Sequence, residues 1–350
     1  RISSDTNMKN RRTSSVSPQA PVQTGDEDLP LSPVTPTNRR VLYVSVSRYR
    51  RFSIGRQLRI ISQLQYFLYS LKQACNGEYD FDIIVFYNDE TILTELIQGR
   101  SVNDIVVDMP IQFVSSPELD ERDGFTSDDM THKWSNLRHL WNLYELVFLI
   151  DIDVVWYQNP IEVFNEFEKS QSAVGIQHGG WKIADETWEM WMYLNEVEGM
   201  SEDAIMHSVF PSVKEKGKRH FRYMANGGQF IFNTPLWSYG FDFVKEYTRI
   251  HANLVAMKQR KAEEWGEWKN TRTGGNPNEE STVNLVLALH AGVPYLIPCR
   301  LGWNMGKNGK VIMGETPGSL PIHDEDSCPE KDGKHRNSFQ SGHRPLAFLH

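Results

Sequence analysis

Five short apolar runs limit what this chain can fold into: VLYVSVS from Val41, FDIIVFYND, IQFVSS, LVFLIDID and SAVGIQ. Segments of helical character separate them. Arg56 to Ala74 carries Leu58, Ile61, Leu64, Leu68 and Leu71 as one expected stripe, and a shorter helix is expected from Thr91 to Ile97. HKWSNLRHLWNLY reads as a helix with Leu137, Leu140, Trp141 and Tyr144 on one face, and Pro160 opens another. Strands that are apolar throughout, alternating with helices, predict an α/β fold: a mostly parallel central sheet covered by helices on both faces. After Gly180 the pattern is less regular and smaller antiparallel elements are expected. GGQFIFN reads as a strand, LWSYGFDFVKEYTRIHANLVAM and EESTVNLVLALHA as helices, and VPYLIP and PLAFLH as closing strands.

Residues 1–39 are rich in Ser, Thr, Pro and charge, lack apolar periodicity and read as a flexible tail or stem, with order expected from Val41. Residues 40–350 then form a single domain, with halves at about 40–178 and 179–350. A hydrophobic content of 39% over 350 residues is ample for a packed core. The net charge of -8 argues against a protein built to grip nucleic acid. Cys75, Cys299 and Cys328 are scattered without a CxxC, so neither a zinc ribbon nor a disulfide framework is indicated; one disulfide stays open. No apolar run approaches the roughly 20 residues that span a bilayer. The chain opens on Arg1 as a processed form would, so a membrane anchor is expected only in a segment preceding it.

The sharpest local feature is Asp151 and Asp153 in YELVFLIDIDVVWYQNP, two charges inside the most apolar part of the chain. D-x-D triplets occur four times, at 26, 80, 151 and 324. The first lies in the tail, the last in a polar loop, and Asp80 and Asp82 precede their strand. Only Asp151 and Asp153 follow a buried strand, where open α/β sheets bind ligands. On an extended segment both would point to one side and could face one ion. Paired, partly buried carboxylates are costly unless a cation neutralises them, and their hard oxygens suit Mn²⁺ or Mg²⁺ carrying a diphosphate. The plainer reading has one aspartate capping the helix near Pro160 and the other solvated. An EF-hand is excluded, because Val155 and Trp156 stand where a ligand and the turn glycine belong.

LVFLIDIDVVWYQNPIEVF, MANGGQFIFNTPLWS, NPNEESTVNLVLA and PLAFLH follow in that order. Together they resemble the metal-dependent, retaining glycosyltransferases of the GT-A fold, notably families 8, 34 and 77, over roughly residues 41 to 350. The resemblance implies that Asp151 and Asp153 hold Mn²⁺ and the diphosphate of a nucleotide sugar, with a UDP-sugar the expected donor. It implies that Asn226 touches the donor sugar. It also implies that Lys133 or Arg138 meets phosphate or ribose, and that Val44 and Ser45 meet the nucleobase, with Arg48 or Tyr49 nearby. His350, ending PLAFLH, would be a third metal ligand. The families' Asp-Gln pair is replaced here: aligned through Asn284, Glu279 takes the Asp position and Glu280 the Gln position.

The residues themselves leave plainer readings open. Gly227 and Gly228 let a backbone approach a ligand, or form a bulge or tight turn. Glu279 and Glu280 suit any helix N-terminus. Lys133 and Arg138 are also ordinary helix charges. Trp181, Trp188 and Trp191 fit a sugar platform or core packing. His178 sits at a strand end, and His350 is also a chain terminus.

The expected reaction is transfer from the nucleotide sugar to a hydroxyl on a carbohydrate, glycosylated or protein acceptor. A fold that binds carbohydrate or nucleotide without turnover is the alternative. No G-x-G-x-x-G follows a strand and no P-loop spacing occurs, which excludes a dehydrogenase and a P-loop enzyme. A stem before such a domain implies a Golgi lumenal or secretory-pathway setting. The absence of any N-x-[ST] sequon leaves a cytoplasmic or secreted effector as the other reading.

Overall fold

The computed structural model describes residues 34–47, 54–98, 106–116, 131–154, 156, 158–178, 189–207, 212–215, 218–221, 225–265, 279–291 and 294–297. PLAFLH, Arg48, Tyr49, Trp181, Trp188 and His350 lie outside these residues.

The expected α/β architecture is present. Strands β1 (Arg40–Val46), β2 (Asp82–Tyr87), β3 (Ile111–Ser115), β4 (Leu146–Ile150), β5 (Val174–His178), β8 (Ala225–Asn233) and β9 (Tyr295–Leu296) make one sheet ordered β3-β2-β1-β4-β8-β5-β9. β6 (Ser212–Glu215) and β7 (Lys218–Phe221) form a separate antiparallel pair. Among the described strands of the large sheet β8 alone runs antiparallel to its neighbours, between β4 and β5. That reversal brings the first residues of β8 to the carboxyl ends of β4 and β5. The strand order turns back between β1 and β4, so their carboxyl ends flank a topological switch point.

Strand alternation divides the core. Val41 and Tyr43 of β1 face one layer, which includes Trp134 and Leu137 of α3 (Thr131–Leu137), Ile250 and Leu254 of α6 (Phe243–Trp265) and Val283 and Leu287 of α7 (Glu279–His290). Leu42, Val44 and Val46 face Leu64, Phe67 and Leu68 of α1 (Ile54–Cys75) and Phe164 and Phe167 of α4 (Ile161–Ser170). The shorter helix expected from Thr91 to Ile97 is α2 (Glu90–Gln98), and α5 (Glu202–His207) lies between β5 and β6 in the chain. The expected stripe on α1 holds from Ile61 onward, but Leu58 is 57% exposed. At about 100° per residue Leu58 lies roughly 120° from the centre of the buried arc, too far round to reach the sheet.

Three further expectations are corrected. The helix expected through Tyr144 ends at Leu137 and tightens into turns, with His139 N–H on Asn136 C=O and Leu140 N–H on Leu137 C=O. Its apolar face survives, since Leu137, Leu140 and Tyr144 are all buried. LWSYGFD is not helical: a short 3₁₀ turn (Thr234–Leu236) precedes Gly240, whose φ of 74° a helix does not accept. Order also begins before Val41. Thr35 and the Gln112 side chain exchange two backbone hydrogen bonds, and Asp82 accepts from Thr37 N–H at 2.8 Å and from Asn38 Nδ2 at 2.8 Å.

Candidate active site

The carboxylates stand where the sheet opens. β4 ends at Ile150, and Asp151 continues its pairing by one bond, donating N–H to Gly228 C=O at 2.9 Å. Ile152 and Asp153 then turn away from the sheet. The expected extended segment is therefore absent, and a turn couples the pair instead of strand periodicity. Burial, with the Asp151 charge as second cause, pushes the Asp153 carboxyl up to about 7; Lys133 opposes both. Neither aspartate caps the following helix: Pro160 is its N-cap without a side-chain bond, and Ile161 N–H donates to Asn159 Oδ1 at 3.0 Å.

The triplet at 80–82 shows what a structural pair looks like. Asp80 pairs with Arg40 at 2.9 Å. Burial alone would raise the Asp82 carboxyl, but bonds from Thr37, Asn38 and Tyr144 outweigh it and hold the group below its ordinary value. Asp153 shows the opposite shift, because burial leads there and the Asp151 charge adds to it.

Lys133, on α3, is buried and faces the pair. Its Nζ lies 3.1 Å from Asp151 Oδ1 and donates to Gly227 C=O. The Tyr43 hydroxyl, donating to Lys133 C=O at 2.8 Å, holds that residue's backbone on β1. Burial, then the Asp151 charge, raises the Tyr43 phenol well above its ordinary value. Arg138 lies past the end of α3, exposed, with its Nε 3.4 Å from His139 Nε2. Towards the carboxyl end of β1, Val44 is fully buried. Ser45 Oγ accepts from Asn136 Nδ2 at 3.0 Å, and Asn136 Oδ1 accepts from Ser116 Oγ at 2.7 Å. Sequence reasoning missed Asn136 and Ser116. The available signal was a polar side chain three residues from Lys133 and one from Leu137, on the inward side of α3.

Gly227 and Gly228 sit in a bulge. Ile176 pairs with Phe230 and His178 with Ala225, so Asn226 to Gln229 of β8 stand opposite Gln177 alone. Glu280, at the start of α7, accepts the Gly227 N–H at 3.0 Å. The structure thus gathers Asp151, Asp153, Lys133, Gly227, Gly228 and Glu280 in one place. The side chains of Asn226, Glu279 and His178 lie outside the described residues, as does all of His350. Trp191 is buried in the core.

Two carboxylates on one turn, with Lys133 paired to Asp151 alone, are hard-oxygen donors of the type that Mg²⁺ or Mn²⁺ accepts. Among the described residues no group of three His, Cys, Asp or Glu side chains is placed to hold a metal. Nor is any described helix long and apolar enough to cross a membrane.

No protein-family model matches the chain, and no curated relative does. Solved structures similar to it include the galactosyltransferase LgtC in complex with donor and acceptor sugar analogues, at 12% identity over 73% of this chain and 72% of that one, with a TM-score of 0.40. Mouse xyloside xylosyltransferase 1 in its apo form is similar at 10% identity over 75% of this chain and 86% of its own, with a TM-score of 0.37. The mannosyltransferase Ktr4p from S. cerevisiae is similar at 10% identity, over 73% and 67%, with a TM-score of 0.41.

Proposed function

We propose that this chain is a divalent-metal-dependent glycosyltransferase that moves a sugar from a nucleotide sugar, a UDP-sugar first, to a hydroxyl acceptor with retention of configuration. The observation that carries the reading is the Asp151–Asp153 turn at the β1/β4 switch point, facing the Gly227–Gly228 bulge across Lys133. A bound divalent ion would supply charge neutralisation to the departing diphosphate. Asp151 and Asp153 would hold it, with His350 as the further ligand that the sequence resemblance implies.

The chain's own groups divide the remaining work. The buried Lys133 ammonium is fixed beside Asp151, where an anionic leaving group would meet it without prior reorganisation. Gly227 and Gly228 carry no side chains, so backbone can lie close to the donor. Glu280 sits on the far side of the bulge from Lys133, joined to Gly227 N–H while Lys133 takes Gly227 C=O. A carboxylate there faces the sugar. In the step itself the acceptor hydroxyl oxygen bonds to the anomeric carbon as the bond from that carbon to the diphosphate oxygen breaks; the diphosphate leaves with the bonding electrons and takes up the hydroxyl proton. The setting we propose is the lumen of the secretory pathway.

The test is calorimetric titration of the chain with Mn²⁺ and then with UDP, GDP and other nucleoside diphosphates, followed by donor hydrolysis across UDP- and GDP-sugars. Metal-dependent nucleotide binding with hydrolysis of one donor is the expected result. No metal-dependent binding would overturn the reading. Binding without hydrolysis of any donor would leave a nucleotide- or carbohydrate-binding protein.

A further inference from the structure

Asn226 is flanked by two residues that one helix fastens. Ala225 N–H donates to Asn284 Oδ1 at 2.8 Å, and Ala225 C=O accepts from Asn284 Nδ2 at 3.2 Å. The same Nδ2 donates to Glu280 C=O at 2.7 Å, one turn back along α7. On the other flank Gly227 N–H donates to the Glu280 carboxylate at 3.0 Å. Asn284 is fully buried. A carboxamide offers one oxygen acceptor and two N–H donors, and all are in use: Oδ1 once and the two hydrogens once each. Neither aspartate nor an apolar side chain can reproduce that set.

These bonds fall where the β5–β8 ladder fails. Bulged backbone lacks the regular partners of a strand, and its conformation is set by whatever satisfies its polar groups. Here those partners are side chains one helical turn apart on α7, so the helix dictates the path from Ala225 to Gly227. Gly227 C=O is in turn the acceptor for Lys133 Nζ, and Lys133 pairs with Asp151. A continuous bonded path therefore runs from Asn284 to the carboxylate pair.

We infer that Asn284 is a positioning residue of the transferase site. It touches no ligand; it fixes the backbone on both sides of Asn226 so that the path from Ala225 to the Gly227 carbonyl is preset for the donor. The inference rests on the transferase reading above. A merely structural role would have Asn284 satisfy a strand end and nothing more.

The experiment uses the full chain, Mn²⁺, UDP and whichever UDP- or GDP-sugar the wild type hydrolyses fastest. Asn284→Ala removes every bond; Asn284→Asp keeps the shape and the bond from Ala225 N–H but cannot make both donor bonds. Val283→Ala, buried in the same helix, is the control for lost packing. Either Asn284 variant, folded, is expected to lower kcat at least about tenfold while the Kd of UDP with Mn²⁺ stays within about threefold, a loss confined to the transition state. Amide exchange is expected to accelerate in residues 225–229 and to stay unchanged in 146–150, whereas Val283→Ala produces neither signature.

A folded variant with wild-type kcat, or with unchanged exchange at 225–229, overturns the inference and leaves the transferase reading standing. So does failure of both variants to fold, since Asn284 would then be a structural residue. A wild type that hydrolyses no donor overturns the transferase reading, and the inference with it.

Discussion

Lys133 Nζ lies 3.1 Å from Asp151 Oδ1, with the lysine side chain only 6% exposed and the aspartate 31%. The two aspartates are therefore unequal, although their sequence context is nearly symmetric. Asp151 has a cationic partner, while Asp153 is raised by burial and by Asp151 itself. Asn at 151 takes away the carboxylate beside a buried ammonium, a loss of about 2 kcal/mol for a charge-assisted bond. Asn at 153 relieves repulsion. A carboxyl whose folded value is raised weakens the fold increasingly as pH climbs from the ordinary 3.8 through about 7, so the relief is complete at pH 8. Urea unfolding in EDTA at pH 8 should show Asp151→Asn less stable than wild type and Asp153→Asn at least as stable. Both should lose Mn²⁺-dependent UDP binding. Equal effects on stability would refute the asymmetry.

A second prediction concerns acid. Arg249 grips Glu246 through Nε at 2.8 Å and Nη2 at 2.6 Å, and His290 Nε2 adds a contact at 2.8 Å. Arg249's bonds, against burial and with help from His290, lower the Glu246 carboxyl to about 2. A depressed carboxyl stabilises the fold above its ordinary 4.5 and loses that contribution as pH falls from there through about 2. Arg249 is 42% exposed, so solvent screening limits the worth to about 1 kcal/mol. Glu246→Gln should be less stable than wild type by that amount at pH 7, with the gap closing towards pH 2. A gap that stays constant with pH would show that charge is not the cause.

The alternation of apolar strands and helices was enough to give the sheet and its two-sided core, because burial on both faces leaves a mark at every strand position. The strand order was not legible, and the antiparallel elements expected after Gly180 were not assigned to β8, since GGQFIFN reads alike in either direction. The site divides the same way. Asp151 and Asp153 stood out because charge inside an apolar run is costly wherever it occurs. Asn136 and Asn284 did not, because a buried carboxamide is recognised by the backbone and side chains it meets, and those come from distant segments. The turn at Asp151 replaced the expected extended geometry for a related reason: β4 stops pairing where β8 bulges, which is a tertiary event. His350 and the closing strand lie outside the described residues.

A third prediction tests the packing behind the site. Gly175 of β5 pairs with Ile231 of β8, and a Cβ built on it would stand 2.4 Å from Ile231 Cγ2 and 3.0 Å from Phe167 Cδ2. The strand backbone is ordinary there, so space is the only obstacle. Gly175→Ala should destabilise by about 1–3 kcal/mol, the usual range for overpacking. Combined with Ile231→Ala, the loss should be smaller than the sum of the two single losses, because the clash has been removed. Additive losses would mean that β5 shifts as a unit instead.

The last prediction separates two roles of Glu280. Its carboxylate accepts Gly227 N–H at 3.0 Å, and its position at the start of α7 places that charge at the positive end of the helix dipole. Both features would serve a purely structural residue. Glutamine keeps an oxygen acceptor for Gly227 while removing the charge; alanine removes both. If Glu280 only supports the bulge, Glu280→Gln should be close to wild type in every respect and Glu280→Ala should lose stability by about 1–2 kcal/mol for the orphaned N–H. If the charge faces the donor sugar, Glu280→Gln should retain Mn²⁺-dependent UDP affinity and wild-type stability, yet hydrolyse the donor about tenfold or more slowly, roughly 1.4 kcal/mol of barrier. Glu280→Ala should then combine that slowing with the stability loss. We expect the second pattern. A Glu280→Gln chain with wild-type turnover would reduce the residue to a support for Gly227.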